Sequence, residues 1–218
     1  MKLSVILPVL DASTTLADTL ANPDADCEVI VVDGGSKTPP QPRAGMRVLS
    51  APRGRGTQLA AGAVAANGDW LLFLHADTAL SADWRMAVAA FAADSANGEK
   101  AGYFRLVFAT HAPQARRVAA LANWRARIFG LPYGDQGLLI SHKFYTKIGG
   151  YRPLPLMEDV DLVRRIGKPH LVELAAVAAT SAQRYERDGW LLRPLRNLFC
   201  LALFFAGVSP RAIQRLYR

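Results

Sequence analysis

The run Trp70-Leu71-Leu72-Phe73-Leu74 ends abruptly in His75-Ala76-Asp77, and no other stretch limits so strongly what this chain can fold into. A strand that is apolar on both faces loses its alternation because it lies in the middle of a sheet with helices on each side. An α/β architecture follows. In open sheets of that kind, ligands bind beyond the carboxyl ends of the strands. Asp77 therefore falls where a carboxylate can meet a metal, a sugar or a phosphate-bound metal. Asp-Thr-x-x-Ser is equally good turn chemistry, and the motif alone leaves both readings open.

The same pattern occurs twice before it. Residues 3–9 are aliphatic and β-branched, with Pro8 near the end, where a missing N–H suits a strand leaving its sheet. Leu16, Leu20 and alanines at helical spacing then predict a helix capped by Ser13 or a neighbour. Residues 28–33 form a second apolar strand, again closed by an acid, Asp33, and followed by Gly34-Gly35-Ser36. Glycine there lets the backbone approach a flat ligand, and Asp33 can accept hydrogen bonds from a base imide or a ribose hydroxyl. A plain Asp-Gly turn is the alternative.

A short strand over residues 47–49 leads into Arg53-Gly54-Arg55-Gly56-Thr57-Gln58 and an alanine-rich helix to Ala66. Backbone N–H groups and the positive helix end favour anions at such a point, and Arg53 or Arg55 would add charge-assisted bonds to phosphate. A solvated basic loop competes with that reading. The segment is neither a Walker A motif nor a dinucleotide Gly-x-Gly-x-x-Gly, because Leu59 stands where the third glycine belongs.

After Asp77, Ser81 is expected to cap a helix. Residues 101–108 read as a strand, 113–129 as a helix with Arg116, Arg117, Arg125 and Arg127 on a solvated face, and 137–141 as a strand. The loop before that last strand holds Asp135 and Gln136, which either orient a second substrate or form a turn. Met157-Glu158-Asp159-Val160-Asp161 is an acidic cluster that would raise the proton affinity of Asp159, as a general base requires. Acids gathered at a helix N-terminus for dipole reasons are the competing account. Residues 172–180 are strand-like, and Gln183-Arg184-Tyr185 follows. His111, His142 and His170 have no partners in nucleophile spacing and are read as structural.

The formal charge of +8 and pI near 9.9 favour an anionic partner. With no Lys/Arg block, RNA-binding aromatic signature or zinc-finger spacing, nucleic acid is the weaker candidate and is not expected as a partner. Cys27 and Cys200 belong to no metal spacing or disulfide scaffold, which fits a reducing, cytoplasmic compartment. The N-terminus begins directly as a strand, so no export signal is expected. In the tail, 189–218, the apolar run from Leu198 to Val208 is shorter than the roughly 20 residues that span a bilayer. It leaves open a buried helix, an interfacial helix on the inner face of a membrane, or a homodimer contact.

Taken in order, the strand to Pro8, the strand to Asp33-Gly34-Gly35-Ser36, the basic Gly-rich segment, His75-Ala76-Asp77, Gly134-Asp135-Gln136-Gly137 and Met157-Glu158-Asp159-Val160-Asp161 resemble the family 2 glycosyltransferases of GT-A fold. The short length and the His-Ala-Asp variant resemble the subgroup called rSAM/selenodomain-associated transferases. The resemblance implies a mostly parallel sheet covered by helices on both faces, over 1–188, with a helical tail over 189–218. It implies inverting transfer of a hexosyl or N-acetylhexosaminyl group from a nucleotide-diphosphate sugar, UDP-sugars favoured, to an acceptor, with Mn²⁺ or Mg²⁺. By position, Pro8, Asp33, Gly34, Arg53, Arg55, Gln58 and Asp77 would surround the nucleotide, and Asp135, Gln136 and Glu158 the acceptor. Arg184 would touch the diphosphate, Asp159 would be the base, and Asp77 would hold the metal. His75 stands where many members carry the first acid of Asp-x-Asp, and it enters as a candidate second ligand. Two other readings stand beside this one: a nucleotidyltransferase of similar fold, and a peripheral membrane-binding module.

Overall fold

The computed structural model describes residues 1–11 and 27–217; the helix expected around Ser13 lies outside them. In chain order the elements are β1 (Leu3–Val9), β2 (Cys27–Asp33), β3 (Met46–Ser50), α1 (Arg55–Ala65), β4 (Trp70–Phe73), β5 (Thr78–Leu80), α2 (Trp84–Ala93), β6 (Ala101–Phe108), α3 (Pro113–Phe129), β7 (Leu138–Ser141), α4 (His142–Lys147), α5 (Glu158–Ile166), β8 (Leu171–Thr180), α6 (Gln183–Asp188), α7 (Leu192–Phe205) and α8 (Pro210–Tyr217). The strands form an eight-stranded sheet in the order β3-β2-β1-β4-β7-β6-β8-β5. The first four pair in parallel, and so do β6 and β8, while β7 and β5 run antiparallel to their neighbours.

Register explains the unbroken apolar runs. Val5, Leu7, Val29, Val31 and Leu72 point into one layer with Val88 and Phe91 of α2. Ile6, Ile30, Val32, Leu71 and Phe73 point into the other with Leu59 and Ala63 of α1 and Val160 and Val163 of α5. Each face meets a helix, so apolar side chains fill both.

The central strand is shorter than its apolar run predicts. β4 ends at Phe73, opposite Leu138. The chain then turns, with Thr78 N donating to His75 O at 3.2 Å, and rejoins the sheet as β5 at its far edge, beside β8. On a flat sheet, β4 and β5 would stand four strand spacings apart, roughly 19 Å. The five steps from Phe73 to Thr78 reach at most about 18 Å when fully extended, and the turn forbids extension. The sheet therefore curls, and its far edge returns over the end of β4. Ser81, expected as a helix cap, is consumed by that edge. Its hydroxyl donates to Asp83 at 2.5 Å and accepts from Val177 N at 3.0 Å, and α2 starts at Trp84 without a side-chain cap.

The tail folds back as the hairpin α7–α8. Cys200, Leu201 and Ile213 join the layer of α1 and α5. Asp188 accepts from Arg187, Arg193 and Arg196, tying α7 to the end of α6. The apolar run is thus buried along its inner face, whereas Leu198, Phe199 and Phe205 are exposed. No helix among the described residues is long and apolar enough to cross a membrane.

α1 reaches the sheet only because residue 62 is glycine: a Cβ there would overlap Ile6 Cγ2 and stand 3.0 Å from Val32 Cγ2. Gly62→Ala is expected to destabilise the fold by about 1–3 kcal/mol through overpacking, despite the ~1 kcal/mol that alanine gains in a helix. Urea unfolding measures this, and an unchanged or higher midpoint would contradict the packing.

Candidate active site

Two cavities open beyond the ends of β1, β4 and β8. The larger, about 680 Å³, is lined by Pro8 to Asp11 after β1, by Arg53, Gly54, Arg55 and Gln58 at the start of α1, by His75, Ala76 and Asp77, and by Pro155, Ser181, Gln183, Arg184 and Gln214. The smaller, about 100 Å³, is lined by Tyr133, Gly134, Asp135, Leu156, Met157 and Asp159, by Phe108 and Tyr185, and by Arg193, Asn197 and Tyr217 of the tail. Arg55, His75, Asp77, Ser181 and Arg184 border both. Asp77 thus stands where the two meet, because the curl brings the segment after β4 against the end of β8.

The floor of the larger cavity is braced by buried polar groups. Gln58 Nε2 donates to Val9 O and Val32 O, both at 2.8 Å, holding the ends of β1 and β2 together. A Cβ at Gly34 would stand 3.0 Å from that amide, so glycine leaves it room. Asp33 is buried and lines neither cavity; its carboxylate accepts from Gly35 N, Ser36 N and Ser36 Oγ. Ser36 Oγ in turn accepts from Asp11 N at 2.8 Å, and Asp11 Oδ1 accepts from Lys37 N at 2.9 Å. The Asp33 turn thereby fixes Asp11, whose place at the cavity wall no motif announced.

The acidic cluster at the start of α5 is dispersed. Met157, the residue before the helix, takes φ 63°, a left-handed conformation that is uncommon and strained for a residue with a Cβ. The next two side chains, about 100° apart around the helix that starts there, diverge. Glu158 is 1% exposed, and its Oε1 lies 2.7 Å from Arg55 Nε. Burial pushes its carboxyl up and Arg55 pulls it back, while the carboxylate holds the Arg55 guanidinium above its ordinary value. Glu158, expected at the acceptor, lines neither cavity and instead positions Arg55. Asp161 accepts from Arg152 and Arg165 and faces away. Asp159 alone of the three acids reaches the smaller cavity, with Oδ2 accepting from Gly134 N at 2.9 Å.

The loop before β7 divides in the same manner. Gln136 is fully buried, its amide bonded to Phe104 O, Asn123 and Tyr133 N, and it faces the core. Asp135 faces the cavity, with Oδ1 buried and without a hydrogen-bond partner. Burial, reinforced by Asp159 and Asp77 and opposed by Arg125, lifts its carboxyl to about 6. Burial first, then Arg55 and Arg184, hold His75 well below the usual imidazole value, so the ring is neutral. A Cβ at Gly134 would collide with His75 Nε2, so that nitrogen abuts the loop. Arg125 stacks 3.4 Å from the Tyr133 ring centre. His142 and His170 bond backbone carbonyls, as structural histidines do. Tyr133, Arg193 and Tyr217 belong to no recognisable spacing; an aromatic residue beside Gly-Asp in a loop was the one available signal for them, and it concerned Tyr133 alone.

Residues 4–105 match the family model described as glycosyl transferase family 2, and the curled mixed sheet with helices on both faces is the GT-A fold. Among solved structures, it is similar to residues 1–349 of S. aureus TarS at 15% identity and a TM-score of 0.59, covering 100% of this chain and 69% of that one. Mannosyltransferase PcManGT from Pyrobaculum calidifontis, crystallised with GDP-Man and Mn²⁺, is similar at 14% and 0.61, covering 89% of this chain and 59% of that one. GalNAc-T7, crystallised with UDP, GalNAc and Mn²⁺, is similar at 13% and 0.58, covering 83% of this chain and 44% of that one. Identities this low speak for a shared fold. No curated protein sequence matches the chain.

Asp135 ties stability to pH. Its carboxyl rises from an ordinary 3.8 to about 6 on folding, so the folded state holds the proton between these values. That contribution is complete below 3.8 and is lost as pH climbs through 6. In metal-free buffer, the melting temperature of Asp135→Asn is expected to gain on wild type as pH rises from about 4 to about 7. A difference that stays constant in scanning calorimetry would contradict the buried, unpartnered carboxyl.

Proposed function

We propose that this chain transfers a hexosyl or N-acetylhexosaminyl group from a nucleoside-diphosphate sugar, UDP-sugars favoured, to an acceptor nucleophile with inversion. One observation carries the reading: Asp77 stands at the junction of a roomy cavity edged by arginines and a small cavity holding Asp159 and Asp135. The larger has the volume of a ligand site. The presence of UDP-GlcNAc in TarS and of GDP-Man in PcManGT supports a nucleotide-sugar donor.

In this reading, Pro8, Asp11 and the loop shaped by Asp33, Gly34 and Gln58 flank the nucleoside. Arg53, Arg184 and the backbone N–H groups opening α1 bind the diphosphate. Arg55, fixed by Glu158, adds charge where the two cavities meet. Asp135 orients the acceptor, and Asp159 takes its proton on the side opposite the departing diphosphate. Residues 1–188 form the catalytic unit and the tail completes the acceptor cavity.

The side chains at the junction suit a divalent ion. Among the described residues there is no group of three or more His, Cys, Asp and Glu that could hold a metal by itself. Asp77 would hold Mn²⁺ or Mg²⁺, with neutral His75 as a second donor through the nitrogen that does not abut Gly134. The remaining positions would fall to water and phosphate oxygens, as is usual for these ions. When bound, such an ion supplies positive charge to the leaving diphosphate.

Titration calorimetry of UDP and GDP, with and without Mn²⁺, tests the donor site. Wild type is expected to bind UDP in a metal-dependent manner that Asp77→Ala abolishes. Binding indifferent to metal and to this substitution would move the anion site to the Arg53 to Gln58 segment. Asp159→Asn should keep UDP affinity while kcat falls by about 10²–10⁴. Full turnover by this variant would remove Asp159 from the reaction, and pyrophosphate release from a nucleoside triphosphate would favour a nucleotidyltransferase.

A further inference from the structure

Two segments share a chemistry that the proposed reaction does not use. α3 carries four arginines and no acidic residue, and residues 189–218 carry five arginines and no acidic residue. Elsewhere, 17 Lys and Arg face all 18 Asp and Glu, so the whole net charge of +8 resides in these two segments.

Both segments also turn large apolar side chains outward. Along α7 and the residue before it, Leu191, Leu192, Leu195, Leu198, Phe199 and Phe205 are 49–70% exposed, in one stripe at helical spacing. On α3, Leu121, Trp124 and Ile128 repeat the pattern at 48–64% exposure. The two helices lie on one flank. Ala115, Ala119 and Ala122 of α3 share a buried cluster with Trp190, just before α7. At the other end, Gly130 faces Lys168, just beyond α5, and Arg164 of α5 lies 4.7 Å from the Phe205 ring centre.

An exposed apolar face of this extent marks an interaction surface. Of the arginines, Arg127, Arg193 and Arg196 pair with Glu173 and Asp188 and Arg125 stacks on Tyr133, while Arg116, Arg117, Arg211 and Arg215 are exposed, so the cover is apolar in depth and anionic where these four reach it. An anionic bilayer offers both: leucine and phenylalanine enter the acyl boundary, while tryptophan and arginine stay at headgroup level. A second copy of this chain would bring the same acid-free arginines against themselves, which like-charge repulsion disfavours.

We propose that α7, with α3 beside it, docks the protein on an anionic membrane surface. α7 then serves two neighbours at once, since Arg193 and Asn197 on its inner side line the smaller cavity.

Co-sedimentation with phosphatidylcholine vesicles, with and without phosphatidylglycerol, tests the docking. Wild type is expected to pellet with the anionic vesicles, to stay in solution with phosphatidylcholine alone, and to be released by salt. The triple variant Leu195→Glu, Leu198→Glu, Phe199→Glu replaces only exposed side chains and should lose pelleting, while its circular dichroism and UDP titration match wild type. Wild type remaining in the supernatant, or the triple variant pelleting equally, overturns the proposal. So does a wild-type dimer that the variant converts to monomer while neither binds vesicles, since the face would then belong to a second copy. Absence of UDP binding would count against the donor site alone, and the vesicle result would still decide the docking.

Discussion

The ion pair between Arg55 and Glu158 is the interaction on which the site depends. It joins the first residues of α1 and α5, the two helices whose starts wall the cavities. A carboxylate as buried as Glu158 survives only with a partner, and removing one member of such a pair is strongly destabilising. Its neighbours are arranged to make the pair reachable. Met157 adopts a left-handed backbone before α5, and Gly56 lets α1 press against the chain at Arg152 and Leu154, where a Cβ would collide. Because Arg55 absorbs Glu158 and Arg165 absorbs Asp161, Asp159 is the acid of that turn left for the cavity.

The curl of the sheet performs the complementary task. An untwisted arrangement would leave the ends of β4 and β8 far apart; here Asp77 O accepts from Ser181 N at 3.0 Å, so residues from both strand ends border both cavities. The tail then supplies the last wall. Arg193 donates to Asp188 at 2.5 Å and to Tyr217 Oη at 3.1 Å, so the hairpin that closes the smaller cavity is pinned from inside by one buried guanidinium.

What the sequence made legible was whatever local periodicity determines. The strand over 101–108 and the helix over 113–129 appear with the expected bounds, because each carries the apolar pattern of its own element. The ends of β1 and β2 were readable as well, Asp33 marking the point where a buried strand leaves its core. Partnership across the fold was not readable. Glu158 and Asp159 are adjacent acids with nothing in their spacing to separate their fates, and only the approach of Arg55 from another helix does so. Gln136 and Asp135 part for the same reason, one meeting Asn123 and the other the cavity. The early end of β4 was hidden because curl is a property of the whole sheet, and the walls lent by Arg193 and Tyr217 depend on a hairpin that local pattern does not aim.

The crossing from β4 to β5 also bears on how this chain can change over generations. Loops above an α/β sheet ordinarily diversify by gaining or losing residues. Residues 74–77 lack that freedom, since their length is matched to the gap between two strand ends and an inserted residue would push Asp77 out of the junction. The segment at the centre of the site is therefore open to substitution but not to a change of length.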